Sequence, residues 1–224
     1  MKKLLLAVVC LFMLVPAVLA QGRAEVFVGY SNLQAEGVPN PNRPGQVFSG
    51  DFFDRRRGAH GIDASVTGYL NSNFGVKGDF SFNQNDDRTN LAGGGIDSVK
   101  HRVFYFMGGP TIKFRNRGRV EPFAHALVGG AHTRFNVETS FTLPGGVIRD
   151  TFETSATDFA AAVGGGVDVR FGEKMSIRLF QFDYAPIFLK DRSISRLGSA
   201  GAIVPFTLEG KRQDNIRLSV GVVF

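Results

Sequence analysis

The sequence predicts an all-β protein, an eight-stranded antiparallel up-and-down transmembrane β-barrel. Apolar and polar residues alternate with period two in one segment after another. The connections between these segments are alternately long and short. Beyond the first twenty residues no stretch approaches the roughly 18 consecutive apolar residues that a membrane helix needs. Any membrane crossing must therefore be made by strands.

The amino terminus reads as an export signal. Lys2 and Lys3 form a basic start, residues 4–15 are an apolar run, and Val18-Leu19-Ala20 is a small-residue cleavage site. Residues 1–20 are thus a cleaved signal peptide and 21–224 the barrel domain. The run is too short for an uncleaved anchor. Cys10 lies within the signal, so the mature chain has no cysteine for a disulfide, a thiolate metal site or a nucleophile. Without Lys2 and Lys3 the balance is 24 Lys+Arg against 20 acids, a net charge of +4. An exported protein rarely meets nucleic acid, so the natural partner of this charge is an anionic lipid headgroup.

Six strands alternate cleanly. The first sets Ala24, Val26, Val28 and Tyr30 against Glu25, Phe27, Gly29 and Ser31. The second opposes Ile62, Ala64, Val66 and Leu70 to Asp63, Ser65, Thr67 and Tyr69; the third opposes Phe74, Val76, Phe80 and Phe82 to Lys77, Asp79 and Ser81. In the fourth, Phe104, Phe106, Ile112 and Phe114 face away from Val103, Tyr105, Thr111 and Lys113. In the sixth, Phe159, Val163, Val167 and Phe171 oppose Ala160, Gly164, Asp168 and Arg170; in the eighth, Ile216, Leu218, Val220 and Phe224 oppose Arg217, Ser219 and Gly221. The fifth, 120–135, is apolar on both faces in its middle, and pattern alone does not assign its inside. In the seventh the parity breaks between Arg178 and Gln181. A β-bulge near Leu179–Phe180 would return Gln181 and Asp183 to the interior.

The long connections are 33–57, 84–98, 136–157 and 186–213; the short ones are 71–73, 115–119 and 172–174. Short turns at one end and long loops at the other are the pattern of outer-membrane barrels, and an even strand count returns both termini to the periplasmic side. A soluble barrel would bury Phe and Val instead. The face opposite them argues for lipid outside, being rich in Gly, Ala, Ser and Thr and carrying both signs of charge. Glu25, Asp63, Lys77, Asp79, Asp168, Arg170, Arg178 and Arg217 are the expected lumen charge network. Unpaired buried ions cost several kcal/mol, so these must pair. About eight strands enclose a bore that side chains fill, which favours a plugged lumen over a gated conduction path.

Pro122-Phe123 ahead of Gly129-Gly130, the stretches 60–69, 74–79 and 177–184, and the ending 215–224 resemble the small OmpA-like, porin-family outer-membrane β-barrel proteins of Gram-negative-type bacteria. The resemblance covers the whole mature chain, but its motifs are architectural. It implies that Phe224 is the signal read by the barrel-assembly machinery. No peptidoglycan-binding segment follows Phe224 in this sequence, so a cell-wall tether is not expected. Family members serve in anchoring, adhesion, small-pore conduction and lipid modification, and fold does not choose among them.

The lipid-modifying barrels of this kind use His with Ser or Asp near the outer rim. His125 is followed by Ala126-Leu127 and His132 by Thr133-Arg134, so the local pairing that activates a hydroxyl is missing; His60 and His101 complete the four histidines. No catalytic residue, cofactor or metal site is expected. Gly93-Gly94-Gly95 reads as a flexible loop, and Gly164-Gly165-Gly166 as relief of crowding in a curved strand. Asp51, Asp54, Asp86 and Asp87 lack the ligand spacing of a dedicated Ca²⁺ site. Arg55-Arg56-Arg57 has two readings, a contact for lipopolysaccharide phosphates and a solvated charge run at the membrane boundary. The leading expectation is a non-enzymatic barrel whose long loops serve structure, adhesion or surface recognition; the alternatives are a narrow passive channel and a lipid acyl hydrolase or transferase.

Overall fold

The computed structural model describes residues 24–38, 55–91, 95–115, 118–143, 146–172, 175–197, 203–208 and 212–224. The signal segment with Cys10, Asp51, Asp54, Gly93 and Gly94 lie outside them, while Gly95, the last of the first glycine run, opens a strand and not a loop. Six long strands follow in order: β1 (Ala24–Val38), β2 (Arg55–Tyr69), β3 (Phe74–Leu91), β4 (Gly95–Lys113), β5 (Val120–Leu143) and β6 (Gly146–Arg170). Then come β7 (Ser176–Tyr184), β8 (Ile187–Phe188), the hairpin β9 (Arg192–Leu197) and β10 (Ile203–Leu208), β11 (Arg212–Gln213) and β12 (Ile216–Val223). Each of β1 to β6 pairs antiparallel with the next. Pairing of β6 with β7, β7 with β12 and β12 with β1 closes a ring of eight positions. The pairs β7/β8 and β11/β12 are single staves, each broken by a short kink. At the first kink Pro186 lacks an N–H, and its carbonyl accepts from Ala161 N at 3.2 Å. Among the described residues no free edge remains in the belt, as hydrocarbon requires.

The bulge lies at Leu179–Phe180. Both side chains face outward, while Arg178, Gln181 and Asp183 are buried. The ladders to β12 and β6 shift there, between Ser219 and Gly221 and between Val167 and Asp168. The facing of β5 is also settled: Phe123, His125, Leu127, Ala131, Thr133 and Phe135 point inward, Ala124, Ala126 and Val128 outward. Both described chain ends lie at the short-turn end, where Phe224 N donates to Val26 O at 2.9 Å.

Two expected loops are largely strand. Residues 84–98 and 136–157 continue as hairpins whose ladders reach Leu91↔Gly95 and Leu143↔Gly146. A barrel strand crosses hydrocarbon with about 9–11 residues, whereas β5 has 24 and β6 has 25. The outward apolar run on β6 stops at Phe159, beyond which come Thr157, Ser155 and Glu153. Runs of four strands therefore stand clear of the belt. They form a wall of β3 to β6, and β6 beyond Phe159 pairs only with β5 among the described residues.

The second glycine run lets neighbouring strands approach. A Cβ on Gly164 would lie 2.2 Å from Asp183 Oδ1 and 2.3 Å from Phe182 O; on Gly165 it would lie 2.3 Å from Phe123 O. Gly164→Ala should therefore lower the urea midpoint of unfolding from lipid vesicles by about 1–3 kcal/mol of stability, the usual cost of overpacking. An unchanged midpoint would mean that the two strands are not held this close.

Candidate functional site

Side chains cross the bore at successive levels. Nearest the short turns, Lys113 on β4 bonds Glu25 on β1 at 2.9 Å, Asp168 on β6 at 2.9 Å and Glu121 on β5 at 3.5 Å. Arg115 joins Glu25 at 2.8 Å, and Arg170 joins Glu121 at 3.2 Å. At the next level Arg178 bonds Asp168 through Nε and Nη2 at 2.8 and 3.1 Å. Its guanidinium lies 4.2 Å from the Phe27 ring centre and 4.1 Å from that of Phe123. Phe27 belongs to β1 and Phe123 to β5, four staves apart in a ring of eight, so this stack spans the whole bore.

Arg217 holds the middle. It donates to Asp79 at 2.7 Å, to Ser81 at 2.8 Å and to Asp183 at 2.6 and 2.9 Å, with Asp63 at 3.8 Å. Lys77 meets Asp79 at 3.1 Å, and His125 Nε2 lies 2.9 Å from Asp183 Oδ1. Gln181 knits this level to the one below, accepting from Arg178 and donating to Asp183. One level further, Asn215 donates to the Tyr105 hydroxyl at 2.9 Å, which donates to Ala185 O at 3.1 Å. Six carboxylates (Glu25, Asp63, Asp79, Glu121, Asp168, Asp183) thus meet six Lys and Arg side chains (Lys77, Lys113, Arg115, Arg170, Arg178, Arg217).

All eight expected lumen residues lie in or at the mouth of this assembly, with Arg170 half-exposed at its short-turn rim. Lys113, Glu121, His125, Gln181 and Asp183 belong to it as well. Inner-face parity already marked Lys113, the bulge brought in Gln181 and Asp183, and Glu121 and His125 needed the facing of β5. The interior toward the long hairpins differs from the expected polar lumen. Leu33, Ala59, Val103, Leu127, Ala131, Phe135, Ala160, Ala162 and Ile187 form an apolar core there. Buried His101 stacks on Phe135 at 4.3 Å, and neither ring nitrogen has a hydrogen-bond partner among the described residues. The outer rim is clasped across the kink in the eighth stave. Asp214 accepts from Arg212 at 2.7 Å and from Tyr184 at 2.5 Å, and its N–H donates to Glu36 at 2.7 Å. The Arg212 bond first, then that of Tyr184, holds the Asp214 carboxyl below its usual range.

Arg56 and Arg57 point to opposite faces of β2, so these two do not form one patch, and the side chain of Arg55 lies outside the described ones. Arg57, on the inner side of β2, pairs with Asp87. Arg56, exposed, donates to Asp214 O at 2.9 Å and lies 3.7 Å from Glu36. Of the histidines, His60 bonds the Tyr30 hydroxyl and His132 lies 2.9 Å from Thr157 Oγ1, both on the outer wall. The glycines 164–166 pair within the barrel wall.

A ring of eight antiparallel strands with an apolar outer belt and an ionic interior defines a membrane β-barrel. The chain belongs to the outer membrane protein β-barrel domain family, whose model matches residues 4–224. Its fold is shared with Ail, the attachment invasion locus protein of Yersinia pestis (14% identity, 90% of this chain and 97% of that one, TM-score 0.51). It is also similar to the outer membrane protease OmpT of Escherichia coli (10% identity, 90% and 95%, TM-score 0.50). Neisserial surface protein A matches at 12% identity over 89% and 95%, with a TM-score of 0.42. Comparison with curated proteins finds no match.

Arg217→Met should cost about 3–5 kcal/mol, because three carboxylates lose their shared cation. Urea titration in vesicles measures this. Adding Asp79→Asn and Asp183→Asn should recover part of the loss; no loss in the single variant would contradict the pairing.

Proposed function

We propose that this barrel is a non-enzymatic surface protein: a stable membrane plug that holds a protruding four-stranded wall outward for adhesion or recognition. The supporting observation is the pairing of the hairpins β3–β4 and β5–β6 far past the lipid belt, to Leu91↔Gly95 and Leu143↔Gly146. Structure invested in a wall rather than in a bore suits contact with something outside. The bridged levels of the interior weigh against the narrow channel. Against the lipid-modifying enzyme, which needs its histidine at the outer rim, stands the placement of the histidines: His101 is buried on Phe135, His125 meets Asp183 deep in the ionic middle of the bore, and His60 and His132 meet Tyr30 and Thr157 on the wall.

In this reading the short turns and both termini are periplasmic, as in other barrels of this architecture. Residues 1–20 are removed on export, and Phe224 serves as the signal to the assembly machinery. Outer-membrane lipid, lipopolysaccharide included, surrounds the belt, and of Arg56 and Arg57 it is Arg56 that is exposed.

Replacing residues 137–152 with an Asn-Gly turn, which joins the paired Asn136 and Glu153, tests the reading. The shortened barrel should refold with an unaltered urea midpoint. Displayed on a non-adherent bacterium, it should lose the attachment to epithelial monolayers that the full chain confers. If the full chain confers none, or the shortened chain keeps it, the wall is not the working part.

A further inference from the structure

Just beyond the apolar belt, the outer wall carries cations that the barrel itself does not neutralise. Arg102 on β4 and Arg134 on β5 stand directly opposite each other in the ladder, both exposed. Like charges so placed destabilise a strand pair. Arg134 is offset by an ion pair with Glu153. Arg102 has no ion pair or side-chain hydrogen bond among the described residues, and neither has Lys100, two residues further out on the same face. Asp86, opposite Lys100, instead accepts from the Ser98 hydroxyl at 3.5 Å. On the membrane side of this row the same wall presents Phe80, Phe104, Phe106 and Phe159 to lipid.

We propose that Arg102 and Arg134 clamp a phosphate of an outer-membrane glycolipid headgroup, with Lys100 as a further contact. Lipid phosphates sit at the edge of the hydrocarbon, which is where this pair stands. A guanidinium fork matches phosphate geometry, and a phosphate between two forks turns their repulsion into attraction. The run Arg55–Arg57 is worse placed, since Arg57 is taken by Asp87 and Arg56 by Glu36 and two carbonyls. The clamp deepens the lipid partnership proposed above. It rests on membrane placement alone, so it stands or falls independently of what the protruding wall recognises.

The mature chain and its Arg102→Gln, Arg102→Lys and Arg56→Gln variants are refolded into phosphatidylcholine vesicles with and without lipid A, a diphosphorylated glycolipid. In phosphatidylcholine, whose phosphate is already neutralised by its own choline cation, Arg102→Gln should raise the urea midpoint, because it removes mainly repulsion. With lipid A the same substitution should lower it, Arg102→Lys should fall between, and Arg56→Gln should change little in either. Lipid A retained by purified Arg102→Gln should fall about tenfold, as expected for losing one charge-assisted bond. A shift of the same sign in both vesicles would overturn the clamp, as would an equal effect with dephosphorylated lipid A. Inorganic phosphate reproducing the lipid A result would assign the site to the free anion and overturn the lipid.

Discussion

Arg217 is the group on which the rest of the barrel turns. Its guanidinium is fully buried and bonded to carboxylates on β3 and β7 while it projects from β12. Lipid surrounds the wall, so polar groups have only the interior to occupy. An ion taken there is stable only if its partners are fixed in place. That requirement links register to chemistry. Sliding β12 by one residue would turn Arg217 to lipid and strand three aspartates inside. The network thus specifies the ring closure that the hydrocarbon demands.

The interior has two regimes. Toward the short turns it is an ionic lattice whose charges balance and whose Phe27–Arg178–Phe123 stack reaches from wall to wall. Toward the long hairpins it becomes an apolar core of Leu, Val and many Ala. Ions in the membrane-embedded half fix register, and the apolar core steadies the strands where they leave the belt. That second core gives the long hairpins a packed base, so they continue as sheet instead of as loop.

Strand count, facing of six strands and the bulge at Leu179–Phe180 were legible because lipid imposes period two on every crossing. The facing of β5 was not, since Ala124, Ala126 and Leu127 are small or apolar on both sides and alternation carries no contrast there. The hairpin 84–98 read as a loop because the run Gln84 to Arg88 is polar on both faces and hides a strand, and 136–157 because Pro144-Gly145-Gly146 interrupts it at the middle. Charge type found most of the lumen network. The cation–π stack did not show, because Phe27 and Phe123 are distant in sequence and only the ring brings them together. The run of three arginines carried two readings, whereas Arg102, which has no ion pair among the described residues, and Arg134 are distant in sequence and are set side by side only by the pairing of β4 with β5.

The central claim is that the bore is closed by paired side chains. Single-barrel recording in planar bilayers tests it most directly. The folded wild-type barrel should insert and give no unitary current at either polarity. A reproducible stepwise conductance from barrels shown to be folded would contradict it.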